Sequence, residues 1–142
     1  MSEANSNQIQ SAQAVEPHGS PRPIREIIAG LSKPVNPQRL KQRTQGGRQL
    51  DYLPWYQAVR YLDNYAPGWR YEIRSVSQIG DNLVMTVRIV IPCAEGAVWR
   101  EASALEVVED PKRYGDAATN AESAALRRAA AKFGLALHLH DK

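Results

Sequence analysis

WRYEIRSVSQIGDNLVMTVRIVIPCAEGAVWREASALEVV, residues 69–108, is the stretch whose period decides the fold. Trp69, Tyr71 and Ile73 alternate with Arg70, Glu72 and Arg74. After the turn signal Gly80-Asp81-Asn82, Leu83, Met85, Val87, Ile89 and Ile91 fall on one face. After Ala94-Glu95-Gly96 a third run extends to Val108. Apolar residues at every second position, broken by tight turns, predict three strands joined as successive antiparallel hairpins.

On either side the period changes. Upstream, Pro54 stands at a first helical position, and Trp55, Ala58, Val59, Leu62 and Tyr65 share one face of a helix stopped by Ala66-Pro67-Gly68. A short strand, Arg48–Leu53, enters it. Further upstream, Ile24, Ile27, Ile28 and Leu31 predict a short amphipathic helix between Pro23 and Gly30. Residues 1–22 are polar and carry too few large apolar side chains for a core, so they read as a disordered tail. Downstream, AESAALRRAAAKFG (121–134) reads as an alanine-rich helix running to about Phe133 and closed by Gly134, with Asp116 or Thr119 as its cap. The expected class is α+β: an antiparallel three-stranded sheet and a short N-terminal strand packed against a long C-terminal helix, a β-α-β-β-β-α core within one domain, 23–142.

Charge is distributed unevenly. The net charge is only +3, but the run from Lys33 to Arg48 holds Lys33, Arg39, Lys41, Arg43 and Arg48 and no acid. A concentrated basic segment is the footprint of a polyanion partner, where an evenly mixed surface is not. Pro34, Pro37 and the Gly46-Gly47 pair predict a flexible loop there, with at most a helical turn at 38–42. In the last helix, Leu126, Ala130 and Phe133, flanked by Ala129, form a core face. Arg127, Arg128 and Lys132 lie on the other side among Ala124 and Ala131, a flat basic face that a phosphate chain can approach. The aromatics Trp55, Trp69, Tyr71 and Phe133 read as core, and Trp99 as a residue suited to a subunit boundary.

RTQGGRQLDYLPWYQAVRYLDNYAPGWRYEI (43–73), three strands and AESAALRRAAAKFGLAL (121–137) together resemble the RAD fifty-two-type single-strand annealing proteins, closest to small bacterial members of the DdrA kind. The resemblance spans about 34–139 and rests on the order and spacing of these pieces. It implies rings that bind single-stranded DNA without sequence preference and anneal complementary strands, with phosphates inward and bases exposed. The family's basic pair on the last helix matches Arg127 and Arg128, and its arginine before the glycine-rich loop matches Arg43. Its further arginine one turn on is Ala131 here, with Lys132 beside it. Arg39, Lys41 and Arg48 complete the expected DNA-binding set. For a second, outer site only Lys112 or Arg113 stands in position, and the hairpins lack the lysine partner, so the complete outer site is not carried over. Longer members bind a recombinase through a C-terminal extension; this chain stops at Lys142, so annealing or end protection is expected without recombinase loading.

Other functions fit these residues less well. Helix, three strands, helix is also the order of a double-stranded-RNA-binding domain, but that module grips phosphates with lysines opening its last helix, and GDAATNAES (115–123) has none. His138 and His140 lack cysteine or acid partners at metal-ligand spacing, and Asp51, Asp63 and Glu72 are scattered rather than clustered for a nuclease metal. No catalytic residue, metal or cofactor is expected. Cys93 is the only cysteine, which excludes an internal disulfide. There is no long apolar run and no signal-peptide pattern, so the expectation is a cytoplasmic protein, nucleoid-associated in a bacterium.

Overall fold

The computed structural model describes residues 21–108 and 114–140. The elements are α1 (Ile24–Leu31), β1 (Lys41–Gln45), β2 (Arg48–Tyr52), α2 (Trp55–Tyr65), β3 (Arg70–Ile79), β4 (Asn82–Cys93), β5 (Gly96–Val107) and α3 (Tyr114–Ala131). One-turn 3-10 helices span Pro37–Arg39 and Leu137–His140. The mixed α+β architecture is the one expected. Residues 1–20 of the expected tail lie outside the described residues. Arg22 is held in place: its carbonyl accepts from the Ala94 N–H at 2.8 Å, and its guanidinium donates to the Tyr65 carbonyl at 2.6 Å.

The large sheet has the order β3-β4-β5, antiparallel throughout. Central β4 turns Leu83, Met85, Val87, Ile89, Ile91 and Cys93 inward, none more than 6% exposed. Their alternation is what made these strands legible. α3 lies across β4 and β5 and buries Ala117, Ala121, Ala125 and Ala129, one residue per turn, alongside Leu126, Ala130 and Phe133. This alanine row lets the helix backbone sit close to the sheet. Ile27 and Leu31 of α1 and Ala58 and Leu62 of α2 close the same core.

The segment expected to be a loop is a strand. β1 pairs antiparallel with β2 from Lys41↔Tyr52 to Gln45↔Arg48 as a separate two-stranded sheet. Gly46 and Gly47, at φ 59° and 76°, form the two-residue turn that suits strand twist. The pair therefore defines a register rather than a flexible wrap. All five β1 side chains are exposed, so no apolar alternation announced the strand.

Smaller expectations also changed. Pro54 is the residue before α2, extended at φ −58° and ψ 151°. α3 begins at Tyr114, so Asp116 lies in its first turn and Thr119 within it. Its C-terminus is as read: the Gly134 N–H bonds to the Ala131 carbonyl and the Leu135 N–H to Ala130, the paired reverse bonds of a glycine-ended helix. Gly134 has φ 102°, and a Cβ there would collide with Ser32 Oγ.

Two of the four aromatics are not core. Phe133 is fully buried and Trp69 packs against the core, its indole N–H bonded to Asp63 Oδ1 at 2.7 Å. Trp55 is 49% exposed and meets Tyr56 edge-on. Tyr71 is 41% exposed: it faces the α3 side of β3, but α3 covers β4 and β5 and leaves β3 overhanging. Its hydroxyl reaches sideways to Glu122 Oε2 at 2.8 Å, and this bond raises the Tyr71 pKa.

Candidate nucleic-acid interface

Arg43 sits in β1 opposite Leu50, two pairs from the Lys41↔Tyr52 end of the ladder where Tyr52 closes β2. Because strand side chains alternate, Arg43, Leu50 and Tyr52 share one hairpin face. That face looks across a cleft of about 780 Å³ toward α3. The far wall carries Ala124, Arg127 and Arg128. Ala58, Ala130 and Leu135 lie deep in the cleft, the Leu105–Glu106 edge of β5 forms one side, and His140 stands at the chain's returning end.

Tyr52 joins the two walls. The Arg43 guanidinium lies 5.4 Å from its ring centroid and that of Arg127 5.3 Å. Arg127 is partly buried, and burial, then the Arg43 charge, lowers its pKa, with Tyr52 and Glu106 acting the other way. An arginine remains a cation regardless. Burial lowers the His140 pKa as well, followed by the charges of Arg128, Arg127, Arg43 and His138. Three arginines and a histidine therefore feel one another's field. Among the described residues the ion pairs lie elsewhere, on the outer face of the large sheet, where Arg70, Arg74 and Arg88 meet Glu72 and Glu101. The Asp51 carboxylate beside the cleft accepts from Gln42 at 3.1 Å on the other hairpin face. A cleft holding unpaired guanidinium forks is suited to phosphate oxygens.

The remaining basic residues fall into two groups. Arg39 lies 5.4 Å over the Tyr61 ring and donates to Gln57 Oε1 at 3.1 Å, and Lys41 lies 5.5 Å over Tyr56. Both stand on the flank of α2, outside the cleft lining. A hydrogen bond with the Tyr56 hydroxyl raises the Lys41 pKa. Arg48 and Lys132 are exposed and do not line the cleft. Lys132 follows the end of α3, where its carbonyl accepts from Arg100. Ala131 is 4% exposed, so the open basic face is narrower than the helical wheel implies, and Lys132 does not replace a third arginine in the cleft. Lys112 and Arg113 lie outside the described residues.

Tyr52 and His140 were not anticipated as parts of this site. Reading Gly46-Gly47 as a two-residue turn would have found Tyr52, since that turn fixes Arg43 opposite Leu50. Nothing in the sequence signals that the chain after Gly134 returns His140 to the cleft. Among the described residues no three of His, Cys, Asp and Glu converge for a metal, and no helix is long and apolar enough to cross a membrane.

The profile of the Rad52/22 family double-strand break repair proteins matches residues 23–142. The DNA repair RAD52-like protein 1, mitochondrial, of Arabidopsis thaliana is 38% identical over 126 residues, 87% of this chain and 71% of that protein. The DNA repair RAD52-like protein 2, chloroplastic, of the same plant is 34% identical over 126 residues, 85% of this chain and 62% of that protein. Among solved structures, a chain from a study of de novo designed pocket proteins aligns at 19% identity over 61% of this chain and 86% of its own, with a TM-score of 0.24, too loose to bear on the fold. The profile covers the sheet, the hairpin and both walls of the arginine cleft, and on that extent the chain belongs to the Rad52/22 family of double-strand break repair proteins.

Proposed function

We propose that this protein binds the backbone of single-stranded DNA in the cleft between the β1–β2 hairpin and α3, and anneals complementary strands during double-strand break repair and recombination. The convergence of Arg43, Arg127 and Arg128, from elements distant in the chain, carries this reading. Annealing needs base edges free to pair, so the protein must grip phosphates and leave bases open. The tyrosines here suit that demand. Tyr52, Tyr56, Tyr61 and Tyr65 each carry a cation over the ring, where a base-stacking platform would present an open face.

The working form in this reading is a closed homo-oligomer. β3 and β5 are the edges of the large sheet, and Ile73, Val76 and Ile79 of β3 are 47%, 55% and 66% exposed. Cyclic association covers such an edge without open-ended aggregation. The sequence likeness to small bacterial DdrA-like members belongs to the same reading, with a cytoplasmic site of action beside the nucleoid and no nuclease activity.

The test is binding of oligothymidylate as salt is raised, with duplex RNA as competitor and light scattering for assembly. Counterion release predicts a log–log slope of roughly 0.7 per phosphate neutralised on a single strand. A flat salt response, preference for duplex RNA, or a stable monomer at working concentration each removes the corresponding part.

A further inference from the structure

The basic segment before the cleft is laid antiparallel along α2, and its cations fall in step with tyrosines. Gly30 approaches so closely that a Cβ there would lie 2.6 Å from the Tyr65 ring. Lys33 stands 5.8 Å over that ring, the Asn36 N–H donates to the Tyr61 hydroxyl at 3.0 Å, Arg39 covers Tyr61 at 5.4 Å, and Lys41 covers Tyr56 at 5.5 Å. Arg43 over Tyr52 continues the row into the cleft. Tyr61 and Tyr65 are themselves stacked, 6.4 Å apart and 7° from parallel.

Resting on the proposed single-strand binding, the geometry points to a second stretch of the same site: a lane along α2, formed by Lys41, Arg39 and Lys33 on their tyrosine supports, that holds the phosphates of single-stranded DNA after they leave the arginine cleft. Each of the three residues is exposed and holds its charged group over a tyrosine ring, so its position is set before a ligand arrives. No acid lies between Lys33 and Leu50. The nearby Asp63 carboxylate is taken by the Trp69 indole N–H at 2.7 Å. From Tyr56 to Tyr65 the helix rises about 14 Å at about 1.5 Å per residue. The lane therefore lengthens the site substantially beyond the cleft. Its cation-covered rings leave no platform for bases, so a strand lying here keeps its bases outward, as it does in the cleft.

The test compares wild type with K33Q/R39Q/K41Q on oligothymidylates of about 4 and about 30 nucleotides, bracketing the usual range of single-strand site sizes. The long strand should lose about 2 from its log–log salt slope in the variant, three phosphates at roughly 0.7 each, while the short strand, which fills the cleft alone, binds as before. An unchanged slope on the long strand overturns the lane. If neither protein binds even the short strand, the parent reading has failed instead, and the lane falls with it. Lys33→Gln alone tests the far end without disturbing the 3-10 turn or β1, and should remove about 0.7 of the slope. Should the triple variant not assemble, that single change decides.

Discussion

Arg43 of β1 and Arg127 of α3 place their guanidinium groups over the same ring, that of Tyr52, at 5.4 and 5.3 Å. Two like charges are thus held together on either wall of a cleft, with one aromatic ring shared between them. The arrangement is costly when the cleft is empty and favourable when an anion fills it. Arg127→Ala with Arg128→Ala should therefore leave folding and assembly intact, since alanine is a good helix former. Single-strand affinity should fall roughly a hundredfold or more, taking about 1.5 kcal/mol or more for each lost charged bond. Circular dichroism, light scattering and oligonucleotide titration check this; Arg43→Ala should weaken binding less, and Lys142→Ala serves as the control. A folded double variant that binds and anneals normally would remove the cleft from the function.

Tyr52→Leu keeps an apolar side chain and removes the shared ring. Both arginines then lose their support, so the change should weaken binding without removing any charge. In a double-mutant cycle, Tyr52→Leu and Arg127→Ala should be non-additive by about 0.5 kcal/mol or more, the lower range for residues in contact. Additive losses would mean that the ring does not hold Arg127 for the ligand.

The strands were legible in the sequence because β4 buries one face completely, so its apolar residues had to alternate. β1 was hidden for the opposite reason: with both faces in solvent, Lys41–Gln45 carries no pattern, and only its glycine turn betrays it. Trp55 and Tyr71 were misread because large aromatic rings usually lie inside, whereas α3 is too narrow to cover β3, and Trp55 opens α2 on its outer side. Of the site, Arg127 and Arg128 could be read from helical period. Arg43 was named by its place in the family pattern, but its approach to Arg127 depends on the hairpin register. Ala131 lies buried where the helical wheel left it open, and Lys132 passes beyond the cleft because the helix ends there.

His140 has a pKa below the ordinary histidine value through burial and the charges of Arg128, Arg127, Arg43 and His138. The folded protein therefore holds fewer protons at this site than the unfolded chain. Its stability contribution is complete above about pH 6.5, the unfolded value, and is lost as the pH falls below it. Bound phosphate reverses the local field and favours the cation. Single-strand affinity should accordingly rise as the pH falls through the same window. Thermal melts and titrations between about pH 5 and 8 should show both trends, and His140→Gln should flatten both. Identical pH profiles for the two proteins would separate His140 from the cleft.

Gly134→Ala should destabilise the fold by about 1–2 kcal/mol from backbone strain alone, because φ is 102° there, and by more through the contact with Ser32. Adding Ser32→Ala should recover the contact part only. Chemical denaturation of the three proteins measures this; full recovery in the double variant would show that φ is not the constraint.

The alanine row of α3 gives the helix a fulcrum as well as a seat. Ala121, Ala125 and Ala129 are each 0% exposed, and Arg127 and Arg128 project from the same turns toward the hairpin. A longer side chain on the seated face lifts or rolls the cylinder, and the guanidinium tips, at the end of long arms, sweep further than the axis itself. Spacing across the cleft is therefore gauged by methyl groups that never meet a ligand. In a family member built this way, loss of grip on a strand can originate on the side of the helix facing away from it.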